Sequence, residues 1–192
     1  MKLLKTIKKS NKLKAASMLT VVAVLSLVAA FGSYSNDQSQ AARVTANYSD
    51  TLSMNPTTGR MTPGQPVDVV LYANTGTEPI NVVQVKVNYP ADQLKFERLS
   101  EGPAFPVAVA TDTATPGMIR LARTLDTDVT AVSGVSGSNI IATLHFTAQP
   151  NAGGTAQLSY DASASFVMRA RDNQNMLATA SGAVFTTKPG RR

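Results

Sequence analysis

The chain contains a single histidine, His145, so a centre built on imidazole could use only this one ring. Catalytic triads and zinc sites rely on histidine because its neutral ring can accept a proton or bind a metal near neutral pH. His145 lies in an alternating stretch, on the side that carries Thr143 and Thr147. We therefore interpret His145 as a solvated residue on the wet face of a strand.

Carboxylates are the other candidate groups. Asp126 and Asp128 lie in a predicted loop that follows Asp112, and such groups could serve a glycosidase or bind calcium. Their spacing is generic, however, and Asp is a common turn residue. Residues 172–175 resemble the start of a calcium loop but lack its later Gly and Glu. We expect loop residues here, with no metal, no cofactor and no enzymatic activity.

Alternation of apolar and polar residues dominates the chain from Pro66 onward. A period of two predicts strands with one buried and one wet face, which is typical of antiparallel sheets. The residues predicted to point inward are Val67, Val69, Leu71 and Ala73 in a first strand, Val83, Val85, Val87 and Tyr89 in a second, and Ile140, Ala142, Leu144, Phe146 and Ala148 in a third.

Turn residues separate these strands at 74–76, 115–117, 133–138 and 151–154. Beyond the N-terminal segment no stretch shows a convincing helical period. Many short strands joined by Gly- and Pro-containing turns predict an all-β sandwich or jelly roll.

Residues 51–99 carry an ordered set of strands and turns that resembles the cohesin domain, the receptor module of bacterial cellulosome scaffolds. The family pattern is matched by Asn55, Pro56, Gly59, Gly64, Gln65, Val83, Tyr89, Pro90, Leu94 and Phe96. Pro90 follows Tyr89 directly, so the acid that usually separates them in the family is missing, and Asp92 comes two residues later. The resemblance continues more weakly in strands predicted over 117–123, 140–148, 154–160 and 182–187.

The resemblance implies a jelly-roll sandwich of about nine antiparallel strands over residues 48–187. It also implies that a dockerin, a small calcium-binding helical module, docks on one sheet face. The expected partner contacts are Gln84, Lys86, Asn88 and Arg120, on one exposed face. The implied function is an exported, non-catalytic module that binds a dockerin-type protein, with a link to polysaccharide breakdown.

Other interpretations stay open from the residues alone. The same face could be an ordinary solvated sheet face, and the module could bind carbohydrate or be a structural, adhesin-like part of the cell envelope. Sugar platforms use exposed aromatic rings, but the chain has no Trp, and Tyr72 is the one aromatic predicted to point outward on a central strand. Direct sugar binding is therefore not favoured.

The first thirty residues are typical of a secretory signal or membrane anchor. Six lysines precede an apolar run over 15–30, and 28–30 or 39–41 offers small residues for cleavage. Residues 31–47 are predicted to be a flexible spacer, and 188–192 a short basic tail. These features predict a protein outside the cell or at its surface.

The net charge of +6 arises from the N-terminal segment. Removing its six lysines leaves twelve basic and twelve acidic residues, so the basic pI does not indicate a nucleic-acid partner. The chain has no cysteine, which excludes disulfides and a lipid anchor on cysteine. The roughly 160 remaining residues suffice for one domain with its own core.

Overall fold

A computed structural model describes residues 49–126 and 133–187. The predicted signal or anchor (1–30), the spacer (31–47), the tail (188–192) and Asp128 lie outside these residues. Within them no helix is long and apolar enough to cross a membrane. The strands are β1 (Asp50–Asn55), β2 (Thr58–Met61), β3 (Pro66–Asn88), β4 (Leu94–Glu101), β5 (Val107–Asp112), β6 (Met118–Thr124), β7 (Val135–Ala148), β8 (Gly154–Tyr160), β9 (Phe166–Arg169), β10 (Leu177–Ser181) and β11 (Ala183–Thr187), with a 3-10 turn at Ala162–Ala164.

The longest strand, β3, spans 23 residues and takes part in two sheets. The sequence predicted two strands here, separated by a turn at 74–76, and that turn is wrong because the chain stays extended through it. The pairing of β3 with β7 changes register between Thr75 and Ile80, where β3 exchanges one set of neighbours for another. The single strand thus replaces two predicted strands and the turn between them. The turn predicted at 133–138 is also wrong from Val135 onward, because those residues belong to β7.

The first half of β3 pairs with β1 on one side and β7 on the other. With β10 beside β1 and β4 beside β7, these strands form sheet 1, in the order β10–β1–β3–β7–β4. The second half of β3 pairs with β6, which carries β5 at its other edge. The opposite edge of this half of β3 pairs with β9 and with β8. Strand β8 then pairs with β11, and β11 pairs with β2, so that all these strands form sheet 2.

The inner sides of both sheets contribute to one hydrophobic cluster. Val69, Leu71 and Leu144 enter it from sheet 1, and Val85 and Leu121 from sheet 2, all fully buried. The all-β prediction is confirmed, and the fold is a β-sandwich with eleven strands in the described part instead of about nine. The prediction of antiparallel strands is wrong for two pairs, since β1 and β10 are parallel, as are β2 and β11. The jelly-roll connectivity and the N-terminal helix stay predictions.

The predicted inward sets are buried at every position but one. Ile140 is only half-buried, whereas Ile141 is fully buried. The cause is a β-bulge, since Leu71 is opposite Ala142 while Tyr72 is opposite Ile140, which leaves Ile141 without a partner on β3. A bulge inserts one extra residue and shifts the alternation that follows it.

A buried arginine fixes the connection between β4 and β5. Arg123 of β6 is fully buried, and its guanidinium lies 2.5 Å from Glu101 Oε1 and donates to the Phe105 carbonyl at 3.1 Å. The guanidinium lowers the pKa of Glu101 through this hydrogen bond. Because a buried cation needs a partner, the contact holds the β4–β5 connection against sheet 2.

Candidate functional site

The predicted partner-binding residues lie on the second half of β3 and on β6. Lys86 and Arg120 are opposite each other in the antiparallel pair, and Asn88 is opposite Met118. Residues opposite each other in a ladder project to the same side of the sheet. Arg120 and Asn88 are exposed, and Lys86 is partly exposed, so these three side chains share the outer face of sheet 2.

Gln84 does not belong to the exposed part of this face. It was predicted to be exposed, but it retains only 6% of its accessible surface. The segment between β8 and β9 covers it, and Gln84 Nε2 donates to the Ala164 carbonyl at 3.0 Å. The prediction of an exposed Gln84 is wrong because a segment about eighty residues away in sequence folds over this position.

The same segment holds Lys86. Lys86 Nζ lies 2.9 Å from Asp161 Oδ2, and the Lys86 backbone N–H donates to Ser165 Oγ at 3.0 Å. Hydrogen bonds from Lys86 and from Ser163 lower the pKa of Asp161 to about 2. Asp161 is therefore ionised at neutral pH, and the ammonium group of Lys86 is restrained before any partner arrives.

Small and apolar residues continue the outer face toward β5. Ala110 is exposed and lies opposite Ala122, while Asp112 lies opposite Arg120 at the edge. The half-buried Met118 adds apolar surface beside Asn88. A small apolar area surrounded by charged and amide groups is the usual composition of a protein–protein contact surface.

The acidic candidates remain turn and edge residues. Asp112 accepts a hydrogen bond from the backbone N–H of Ala114, which is local turn chemistry. Asp172 pairs with Arg169 at 2.6 Å, and this pairing lowers the pKa of Asp172 to about 2. Within 49–126 and 133–187 no three acidic, His or Cys side chains come together in a way that could hold a metal ion.

His145 is not the solvated surface residue that the sequence predicted. Its imidazole is 16% exposed and lies between β3 and β4 on the outer face of sheet 1. His145 Nδ1 is 2.7 Å from Asp68 Oδ1, and Nε2 is 2.9 Å from Ser100 Oγ. Arg98 Nη1 donates to the same Ser100 Oγ at 2.8 Å. Four polar side chains from three strands thus form one hydrogen-bonded chain.

A β-bulge explains why the sequence did not reveal this cluster. Phe96 is opposite the inward-facing Phe146, but Arg98 is opposite the outward-facing His145, so Glu97 is the extra residue. Without the bulge, Arg98 and Ser100 would share the side of Phe96 and point inward. The one signal of the cluster in the sequence is that the alternation places both Asp68 and His145 on outer faces.

Comparison with known proteins decides the family. The sequence model of the cohesin domain matches residues 51–184, well over half of the chain. The chain belongs to the cohesin domain family. Curated proteins gave no match. The resemblance to the cohesin domain that residues 51–99 carry is thereby confirmed.

Solved cohesin structures share the fold at low sequence identity. A cohesin of Clostridium acetobutylicum is 22% identical, with a TM-score of 0.60 over 76% of this chain and 94% of that one. The sixth cohesin of scaffoldin B from Acetivibrio cellulolyticus, solved in complex with a dockerin, is 17% identical, with a TM-score of 0.61 over 72% and 99%. A non-cellulosomal cohesin of Archaeoglobus fulgidus is 14% identical, with a TM-score of 0.56 over 72% and 91%.

Cohesin domains are non-catalytic scaffold modules. In this cohesin domain the two outer faces differ in chemistry. The face of sheet 2 presents separate charged and amide groups around small residues, whereas sheet 1 carries a connected polar chain centred on His145.

Proposed function

We propose that this cohesin domain binds a dockerin-type protein partner through the outer face of sheet 2, outside the cell or at its surface. The observation that carries the proposal is the placement of Lys86 and Arg120 opposite each other on an open face of a cohesin fold. Solved relatives in complex with dockerins support the class of partner. The contact residues we propose are Lys86, Asn88 and Arg120, without the covered Gln84.

The face is suited to such a partner because part of it is already ordered. The pair with Asp161 restrains Lys86, so less side-chain freedom is lost when a partner binds. Arg120 supplies a second positive charge with no covering segment over it, and its planar group can bind carboxylates or carbonyl oxygens of a helical partner. A partner that offers acidic or carbonyl groups opposite this pair of cations would fit best.

Binding is tested with purified calcium-loaded dockerin modules and the fragment from Ala42 to Arg192. Arg120→Glu should weaken binding about five- to thirtyfold, because a contact residue of this type contributes roughly 1–2 kcal/mol. The melting temperature should hold, since Arg120 is exposed. Arg120→Glu is preferred to Lys86→Glu, which would place a second carboxylate beside Asp161.

Arg98→Glu is the matched control, because it reverses an exposed arginine on the outer face of the other sheet. It should leave dockerin binding unchanged. If no dockerin binds the unaltered domain, the partner class is wrong. If binding survives Arg120→Glu but is lost in Arg98→Glu, the docking face is that of sheet 1.

Export is part of the proposal, and it is supported by the lysine-rich and apolar segments of the first thirty residues. Mass spectrometry of the native protein should show a start near Phe31 or Ala42 if the segment is cleaved, or a full-length chain in the membrane fraction if it anchors. A full-length chain recovered from the cytoplasm would contradict export.

A further inference from the structure

A serine, a histidine and an aspartate on the outer face of sheet 1 are joined in the order used for nucleophilic catalysis. Asp68 Oδ1 lies 2.7 Å from His145 Nδ1, and Ser100 Oγ lies 2.9 Å from His145 Nε2. Each atom therefore has the partner that a serine nucleophile requires, a base within hydrogen-bond reach and an acid that orients the base. We propose that Ser100 is a nucleophile that accepts acyl groups from small, activated esters, an activity that neither the sequence nor the scaffold role of cohesin domains led us to expect.

The directions of the hydrogen bonds agree with this role. Arg98 Nη1 donates to Ser100 Oγ, so the hydroxyl hydrogen is left to donate to the acceptor nitrogen of His145. The other ring nitrogen then carries a hydrogen and donates to the Asp68 carboxylate. This is the tautomer in which imidazole can take the serine proton.

The backbone brings these groups together from three neighbouring strands. Asp68 and His145 are opposite each other on β3 and β7, and the bulge at Glu97 turns Arg98 and Ser100 of β4 outward beside them. Bulges often occur next to active sites, where they redirect a side chain. His145 is shielded, at 16% exposure, while Asp68 is 59% exposed and reachable from solvent.

The reaction would follow ordinary acyl transfer. As Ser100 Oγ bonds to the acyl carbon, its proton passes to His145 Nε2. The oxyanion then collapses, and the ester's alcohol leaves with the proton from His145. Water attacks the acyl-serine by the same proton route, which releases the carboxylic acid and restores the serine.

Arg98 defines the class of substrate. Its guanidinium donates to the reacting Ser100 Oγ, and in the proposed reaction it also donates to the oxyanion, a role that backbone N–H groups take in many hydrolases. The site lies on an open sheet face, and one flexible cation supports less charge than a rigid pair of amides. Short acyl esters with good leaving groups fit this site, and peptide bonds do not.

The test is covalent labelling with a fluorophosphonate, which reacts with activated serines. Mass spectrometry should place the adduct on tryptic peptide 99–120, in which Ser100 is the only serine. Ser100→Ala should abolish the adduct, and His145→Gln should slow labelling about 100-fold, the contribution expected of a general base. Release of p-nitrophenol from p-nitrophenyl acetate should fall in the same order.

Two further variants keep the test decisive. Asp68→Asn changes an exposed side chain, so the domain should stay folded while labelling slows, even if His145→Gln were unstable. Ser53→Ala is the matched control, since Ser53 lies on β1 in sheet 1 and accepts a hydrogen bond from Asn74. It should label like the unaltered domain.

The proposal is overturned if peptide 99–120 carries no adduct, or if His145→Gln and Asp68→Asn are both labelled as fast as the unaltered domain. Either result would leave the four side chains as a structural hydrogen-bond network between strands. Dockerin binding plays no part in this experiment, so its outcome is independent of the proposed function.

Discussion

The two halves of β3 bury similar residues but expose very different ones. Inward, Val69 and Leu71 in the first half correspond to Val85 and Val87 in the second, and all four are fully buried. Outward, the first half carries Asp68 in a chain of side chains bonded to one another. The second half carries Lys86, which is bonded to the segment between β8 and β9.

The difference indicates two ways in which a sheet face can be specialised. On sheet 1 the polar groups satisfy each other across neighbouring strands, which suits chemistry at a fixed point. On sheet 2 the segment over Gln84 and Lys86 leaves Asn88 and Arg120 open, which suits contact with another protein. Loss of the shared core should affect both faces together, whereas changes at one face should leave the other intact.

The largest effect is expected from the core. Phe146→Ala should cost roughly 3–5 kcal/mol of unfolding free energy through the cavity it leaves, since the ring is 1% exposed and packs edge-on against Tyr89 and Phe96. Val85→Asp, in the other sheet, should be at least as damaging because it buries an unpaired carboxylate. Urea unfolding of both variants measures these losses.

The same experiment examines whether the halves are one unit. Each variant should unfold in a single transition that fluorescence and circular dichroism report at the same urea concentration. Phe96→Ala is the control, because its ring is only half-buried and its loss should be smaller. If Phe146→Ala or Val85→Asp unfolds at nearly the same urea concentration as the unaltered domain, the inward position of that side chain is contradicted.

Sequence patterns predicted the inner sides well and the outer faces poorly. A period of two identified Val83, Val85 and Val87 because burial acts on each strand separately. It failed at Ile140, because a bulge is a backbone event that leaves no mark in an alternating pattern. It also failed at Gln84 and His145, whose surroundings come from segments far along the chain.

The smallest effect concerns the pair of Lys86 and Asp161. The hydrogen bond from Lys86 lowers the pKa of Asp161 to about 2, below its unfolded value of about 3.9. A depressed folded pKa stabilises the fold above the unfolded pKa and loses that contribution as pH falls through the folded one. The contribution should thus be present above about pH 4 and disappear toward pH 2.

Asp161→Asn isolates this contribution. At neutral pH it should cost less than about 1 kcal/mol, since the pair is partly exposed and solvent screens it. The difference from the unaltered domain should shrink between about pH 4 and pH 2 in thermal unfolding. A difference that stays constant across this range would show that Asp161 acts through the backbone of the 3-10 turn and not through its charge.

The long strand β3 also sets the order in which the chain can fold as it emerges. Its first half is bordered by β7, whose residues follow some sixty to eighty positions later, and sheet 2 is completed only when β11 joins β8 and β2. Folds dominated by such distant pairings form slowly, because loop closure precedes any gain from contacts. A nascent chain that ends before Thr187 still lacks part of a sheet. Synthesis and folding are therefore separated in time.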